Sequence, residues 1–158
     1  MGTTRDFDFL HGCWDVRHRR LRQRLIGATQ WDQFGGAMSC RPILGGTGNF
    51  DENHIRLPDG DYEACTLRLY DATSDIWTIH WIDGRRPRLD PPMHGRFADG
   101  VGTFFGDDRF EGRPIRVRFL WTRPDPAGGR WEQAFSDDGG ATWETNWIME
   151  FTPAETAA

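Results

Sequence analysis

Three polar residues of this chain have side chains suited to proton transfer or to orienting a ligand. His18 follows Trp14 and Val16 at intervals of two, so a strand here places its imidazole on the same face as two apolar side chains. Burial favours the neutral form of histidine, which can act as a base or hold a ligand. Glu52 lies in a short predicted strand, and if it points inward it needs a partner such as His18 or an arginine. Such a pair would either exchange protons as acid and base or anchor a polar group of a ligand.

The third polar candidate, Gln133, lies between Trp131 and Phe135 on a face that we predict to point inward. An amide costs less to bury than a charge, so this side chain is suited to orienting a bound molecule. The predicted ligand-binding residues are Trp14, His18, Trp77, Trp81, Phe119, Trp121, Gln133 and Trp147.

Tryptophan is the strongest compositional signal, with eight residues in a chain of 158. Seven of them fall on one consistent face of their predicted strands. These rings indicate either a core filled by indoles or an aromatic-lined pocket for a flat or apolar small molecule. The seven are Trp14, Trp77, Trp81, Trp121, Trp131, Trp143 and Trp147.

Other kinds of site are not indicated by the sequence. The five histidines are scattered, and none belongs to an H-E-x-x-H motif or a close pair at helical spacing. The glycine-rich segment 45–48 opens no predicted helix, and no G-x-S-x-G elbow is present. The three cysteines form no C-x-x-C motif. We therefore expect no metal and no cofactor; haem bound through a histidine stays open, although no residue specifies it.

Alternation of side chains with a period of two recurs along the chain and predicts the elements that position these residues. A clear example is segment 115–121, in which Ile115, Val117, Phe119 and Trp121 share one face. Turn signals recur about every 8–12 residues, as in an all-β sandwich or barrel. Connections between sequential strands are short, and closure removes exposed edges. We therefore predict an all-β fold, an up-and-down antiparallel β-barrel of about eight to ten strands.

We expect residues 1–158 to form a single domain, with a short helical lead-in at 5–12 and a loose tail at 152–158. In the middle of the chain, one hairpin joins segments 63–70 and 76–82. If Tyr70 lies opposite Ile76, one face carries Cys65, Leu67 and Leu69 together with the alternate residues of the second segment, Trp77, Ile79 and Trp81. We predict this face to be the inner one, which leaves Arg68 outside. A slip of one residue would bury the arginine instead.

The opening segment resembles the start of a lipocalin-like family of uncharacterised bacterial proteins, in which an Asp- and Phe-rich segment leads into a Gly-x-Trp strand, here Gly12 and Trp14. The likeness implies a calycin-type barrel with an internal cavity and no settled activity. Glu52 falls where that family has an acidic residue before an aromatic one. Ile79 stands where the family has a polar residue, and the glycines near Gly46 are unusual for it. The similar segments, in order, are 6–15, 41–45, 67–71, 77–83 and 136–143.

The last of these segments, from Ser136 to Trp143, also matches the Asp-box pattern Ser-x-Asp-x-Gly-x-Thr-Trp. In this pattern a carboxylate and a hydroxyl bind turn amides, glycines adopt left-handed dihedral angles and the tryptophan packs beneath. A single copy predicts a device that fixes a hairpin. Glycan hydrolysis, which is associated with repeated copies, is not indicated.

The charge balance disfavours several partners. The net charge is −5, and alternation places Arg17 and Arg19 of the basic run Arg17–Arg24 on a predicted solvent face. We interpret this run as a solvated strand edge and expect no nucleic acid. Apolar runs are too short to cross a bilayer, so we expect no membrane association and a cytoplasmic location; a homodimer stays open.

Three functions remain after these exclusions. The first is non-catalytic binding of a small apolar or aromatic molecule in the barrel. The second is a small enzyme for acid–base isomerisation, cyclisation or hydration in the same cavity, with His18 and Glu52 as its catalytic residues. The third is a structural module with a filled barrel. The sequence does not decide whether the protein is an enzyme.

Overall fold

The computed structural model describes residues 1–86 and 88–155. Ten antiparallel strands form one closed barrel, in which each strand pairs with its neighbours in the sequence and the first closes against the last. This topology confirms the prediction of an up-and-down barrel of eight to ten strands. The strands are β1 (Gly12–Leu21), β2 (Trp31–Ile43), β3 (Gly48–Leu57), β4 (Gly60–Asp71), β5 (Ile76–Asp83), β6 (Met93–Ala98), β7 (Val101–Phe110), β8 (Arg113–Thr122), β9 (Gly129–Ser136) and β10 (Glu144–Pro153).

We expected a short helix at 5–12, but this segment contains only a 3₁₀ turn, Asp8–Leu10. A second 3₁₀ turn, Leu44–Gly46, joins β2 to β3. A 3₁₀ turn has three residues per turn, so it directs Phe7 and Leu10 to the same side. Both side chains are fully buried. They fill the end of the barrel at which β1 begins, which we call the closed end.

The prediction of a loose tail at 152–158 is wrong for its first two residues, because β10 continues to Pro153 and pairs with β1 there. Residues 156–158 lie outside the described part of the chain. No helix in the described residues is long and apolar enough to cross a membrane.

The hairpin of β4 and β5 differs from the prediction by one residue. Tyr70 lies opposite Trp77, and Asp71 lies opposite Ile76. The inner face of β5 is as predicted, with Trp77 and Ile79 buried, but the inner face of β4 is the opposite one. There Thr66 and Arg68 are each only 3% exposed, whereas Leu67 is half-buried on the outside. The arginine is therefore inside the barrel and the leucine outside.

The turn between β9 and β10 is built as the Asp-box pattern predicts. The Asp138 carboxylate accepts hydrogen bonds from the Thr142 amide and hydroxyl and from Ser136 Oγ. These bonds, the one from the Thr142 hydroxyl above all, hold the pKa of Asp138 well below its usual range. Gly139 and Gly140 adopt positive φ angles of 73° and 96°. The prediction of a device that fixes a hairpin is confirmed.

Trp143 does not share the inner face, contrary to the prediction. The register of β10 against β9 shifts between Thr145 and Trp147, so alternation counted along the sequence fails at this point. Trp143 precedes β10, and its indole packs on the outer surface against Phe105, with ring centroids 5.8 Å apart, and against the Arg118 guanidinium, 4.7 Å away.

Candidate ligand-binding cavity

The barrel contains a cavity of about 390 Å³ at the end opposite the Phe7 plug, which we call the open end. Pockets that bind small molecules commonly have volumes of about 300 Å³ or more. The interior of this barrel is therefore not completely filled by side chains, as a purely structural module would require. Its wall is aromatic and apolar in the interior and charged at the rim. Four predicted ligand-binding residues lie in this wall: Trp81, Phe119, Gln133 and Trp147.

The interior wall is held by edge-to-face contacts between aromatic rings. Trp131 contacts Phe119 and Trp147, with ring centroids 4.9 and 5.3 Å apart, and Trp81 contacts Trp147 at 5.8 Å. Each such contact adds stability beyond the buried area, because the positive edge of one ring meets the negative face of another. The wall is therefore a packed surface that offers both faces and edges of indoles to a flat ligand.

A smaller pocket of about 30 Å³ lies below this wall and shares Trp81, Phe119 and Trp131 with the main cavity. Its remaining lining includes Trp121, which stacks on Phe151 with ring centroids 5.4 Å apart. A volume of this size holds about one water molecule. Trp121 thus borders the deep pocket and not the main cavity.

The floor of the deep pocket is a buried polar network. The Arg68 guanidinium donates to Asp51 Oδ2 and to Asn49 Oδ1, the latter at 3.0 Å, and Asn53 Nδ2 donates to Asp51 Oδ1 at 2.7 Å. All four side chains are at least 95% buried. The guanidinium also lies 5.1 Å from the ring centre of Phe7, so the network connects the cavity floor to the closed end.

Sequence analysis missed this network because it placed Arg68 outside. The available signal was the alternation of Asn49, Asp51 and Asn53 along β3, which puts three polar side chains on one face. In the observed register Asn49 lies opposite Arg68.

The predicted ligand-binding residues Trp14 and Trp77 line neither cavity. Each indole instead donates a hydrogen bond to the N-terminal segment, Trp14 to the Leu10 carbonyl at 2.8 Å and Trp77 to Asp6 Oδ2 at 3.2 Å. The Trp77 ring packs edge-on against Phe7 at 5.0 Å. These two tryptophans therefore hold the plug of the closed end, and the structure separates them from the residues of the main cavity.

His18 is buried in the interior, as the alternation of β1 predicted, and is 1% exposed. Its Nδ1 accepts a hydrogen bond from Trp147 Nε1 at 3.2 Å, so the neutral ring carries its proton on Nε2. The ring stacks on Phe34 with centroids 4.9 Å apart. Burial, and secondarily the positive charge of Arg20, lower the pKa of His18 to about 3. His18 thus supports the cavity wall through Trp147 and does not itself line the cavity.

Glu52 lies on the outer face of β3, so the inward orientation that a pairing with His18 would require is not present. Its side chain is exposed, whereas the adjacent Asp51 and Asn53 point into the barrel. Its cross-strand neighbours are Ser39 and Cys65. The acid–base pair of His18 and Glu52 is therefore not formed.

Gln133 is placed as predicted, on the cavity wall in β9. Its amide Nε2 donates to Asn146 Oδ1 at 2.9 Å, which leaves its own carbonyl oxygen to accept a bond from a ligand. Asn146 is fully buried at the irregular point of β10. Sequence analysis missed Asn146, because a bulge cannot be located by counting alternation.

The rim of the cavity is charged and includes Arg20, which belongs to the basic run that the sequence analysis assigned to solvent. Asp83 accepts hydrogen bonds from the side chain of Arg85, and these bonds lower the pKa of Asp83. The Arg86 Nη2 atom lies 3.4 Å from Asp90 Oδ2. Arg20, at the end of β1, lies over Trp147, with the guanidinium carbon 4.9 Å from the ring centre. These groups make the entrance polar, although the wall behind it is aromatic.

Gly36 allows His18 to occupy its place, and an alanine there tests this contact. A Cβ atom at Gly36 would lie 2.8 Å from His18 Nε2 and 2.8 Å from the His54 carbonyl oxygen. We expect Gly36→Ala to lower the free energy of unfolding by about 1–3 kcal/mol, because backbone or imidazole must shift. Urea unfolding measures the change. Gly35→Ala is the control, since its nearest contact would be Arg56 Nη1 at 3.8 Å; an equal loss in both variants would contradict the argument.

No three His, Cys, Asp or Glu side chains within residues 1–86 and 88–155 form a group that could hold a metal ion. The fold and its cavity define a lipocalin-like barrel that is plugged at one end and open at the other.

Comparisons with known proteins agree with this class. One solved structure that the chain is similar to is the S-type phycobiliprotein lyase CPES from Guillardia theta, with a TM-score of 0.62 over 99% of this chain and 95% of that chain. The two sequences are 9% identical, so the similarity establishes the fold and not a shared activity. No protein-family model and no curated protein sequence matches the chain.

Proposed function

We propose that the protein binds a small aromatic or apolar molecule, without chemical change, in the cavity at the open end. The observation that carries this proposal is the aromatic wall of Trp81, Phe119, Trp131 and Trp147 around a volume of about 390 Å³. Apolar lining with a few placed polar groups is typical of such sites, and here the carbonyl oxygen of Gln133 is the placed group.

The alternative function, acid–base chemistry by His18 and Glu52, loses its support from the geometry. Glu52 is on the outer surface, and the Nδ1 atom of His18 is occupied by the Trp147 indole. A histidine with a pKa of about 3 is also a weak base at neutral pH. The cytoplasmic location and a homodimer both stay predictions from the sequence.

The proposal is tested with N-phenyl-1-naphthylamine, a neutral aromatic probe whose emission rises in apolar surroundings. We expect saturable binding with one site per chain. The variant Val117→Trp places an indole in the cavity, because Val117 lies in its wall, and should weaken binding by about tenfold or more. Titration calorimetry gives the dissociation constants, and circular dichroism checks that the variant is folded.

Leu120→Trp is the matched control, because it adds the same side chain to the same strand with the opposite orientation; Leu120 is half-buried on the outer face. It should leave the dissociation constant unchanged. An absence of binding to the unaltered protein, or binding that Val117→Trp does not weaken, would contradict the proposal.

A further inference from the structure

Among the described residues, two half-buried arginines at the rim of the cavity have no acidic partner. Arg20 and Arg24 both line the cavity, and within the described residues neither guanidinium has a carboxylate oxygen within 4.0 Å. The other three arginines of the cavity lining differ. Arg85 and Arg86 are paired with Asp83, and Arg109 is exposed and donates to the Gly112 carbonyl oxygen. Unpaired cations are common on open surfaces, but these two are half-buried.

The surroundings of the two guanidiniums make their charge costly. Arg24 Nε is buried and makes no hydrogen bond within the described residues. Burial lowers the pKa of Arg24, and the nearby positive charge of Arg20 lowers it further, against a smaller opposing effect of Glu144. Since arginine does not lose its proton, the two like charges remain close together. An anion placed between them would relieve both the missing hydrogen bond and the repulsion.

The aromatic surroundings connect this rim to the wall of the cavity. The Arg20 guanidinium lies 5.2 Å from the ring centre of Phe34 and 4.9 Å from that of Trp147, and Arg24 lies 5.9 Å from that of Phe110. Stacking on rings restricts the orientation of a guanidinium and leaves its N–H groups free to donate at the edge. A ligand whose body lies against Trp147 would therefore have its polar end beside Arg20.

We propose that the ligand of this cavity is an aromatic or apolar organic anion whose anionic group is bound by Arg20 and Arg24 together. This inference rests on the proposed function and adds the charge of the ligand to it. A carboxylate matches the planar fork of a guanidinium, and sulfonate or phosphate oxygens offer the same acceptor chemistry.

The test compares two probes that share one aromatic skeleton and differ by one anionic group. 8-Anilinonaphthalene-1-sulfonate has the skeleton of N-phenyl-1-naphthylamine and one added sulfonate. We expect the anionic probe to bind about tenfold more tightly at low salt, as charge-assisted hydrogen bonds at a partly exposed site allow. The advantage should shrink as salt rises from about 0.05 to 0.5 M, because ions screen the guanidiniums.

The double variant Arg20→Gln/Arg24→Gln should remove the advantage of the anionic probe, so that the ratio of the two dissociation constants falls to about one. Arg41→Gln is the matched control, since Arg41 is exposed on the outside of the barrel, 5.7 Å from the ring centre of Phe50, and has no acidic partner within 4.0 Å in the described residues. It should change neither probe.

Each outcome separates the two proposals. Equal affinity for both probes, or an advantage that survives in the double variant, overturns the inference and leaves the binding function standing. Equal losses for both probes in the double variant also overturn it, because they indicate a change in packing and not in charge recognition. Failure of the neutral probe to bind the unaltered protein removes the proposed function and the inference with it.

Discussion

Arg68→Leu is expected to lower the free energy of unfolding by about 3–5 kcal/mol, because it leaves the fully buried Asp51 carboxylate without a counter-charge. Asn49 and Asn53 cannot compensate, since one accepts from Arg68 and the other already donates to Asp51. Urea unfolding measured at pH 7 gives the change.

Two further variants isolate the buried charge from the loss of packing. Asp51→Leu/Arg68→Leu should recover part of the stability, because it removes both charges. Arg17→Leu breaks an exposed ion pair with Glu150 and should cost about 1 kcal/mol or less. If the double variant is no more stable than Arg68→Leu, the uncompensated carboxylate is not the cause of the loss.

The second large effect is a loss of stability in mild acid that depends on His18. Its pKa is about 3 in the folded protein against an ordinary value of 6.5, so below pH 6.5 the unfolded chain binds a proton that the folded protein does not. Protons therefore stabilise the unfolded state, and stability falls as pH decreases from about 6.5 towards 3. Between pH 7 and 4.5 this difference amounts to about 2–3 kcal/mol from one group.

The measurement compares the pH dependence of unfolding in the unaltered protein and in His18→Gln. The variant loses the hydrogen bond from Trp147 and is less stable at pH 7, but its stability should change less between pH 7 and 4.5. His94→Gln, which alters an exposed histidine, should keep the original slope. A slope in His18→Gln equal to that of the unaltered protein would show that another group binds the proton.

Much of the fold followed from local patterns, because the strands and turns are separately encoded. Ile115, Val117 and Trp121 alternate as predicted in β8, and all are buried. Asp99 and Gly100 form the tight turn between β6 and β7 with positive φ angles of 50° and 79°, as that dipeptide indicates.

The inner faces of β3 and β4 could not be predicted strand by strand. Taken alone, β4 presents Leu67 and Leu69 as its apolar face, and burying them is the natural expectation. Its neighbour β3 also carries polar side chains inward, and the two departures compensate each other through Asp51 and Arg68. Only the pairing register, fixed by the turn between β4 and β5, reveals this compensation.

The candidate site was predicted in part for the same reason. Trp81, Phe119 and Gln133 lie on strands with regular alternation. Trp147 follows the irregular point of β10 and shares the inner face of Met149 and Phe151, and all four residues meet at one cavity. Arg20 continues the period-two face of Trp14, Val16 and His18 in β1, but it was missed because the basic run was assigned to solvent. Arg24 could not be found this way, because it lies in a loop, where no period relates a residue to the interior.

The barrel closes between β1 and β10, where Arg17 bonds to Glu150 across 133 positions of the chain. Every other strand pairing joins sequential neighbours, so those pairings can form as local hairpins. The pairing of β1 with β10 can form only after the final strand has been synthesised. During synthesis, a chain that still lacks β10 leaves the ribosome as a curled sheet with two unsatisfied borders. Such borders recruit other strands, so we expect polypeptides truncated before β10 to aggregate even though nine of the ten strands are present.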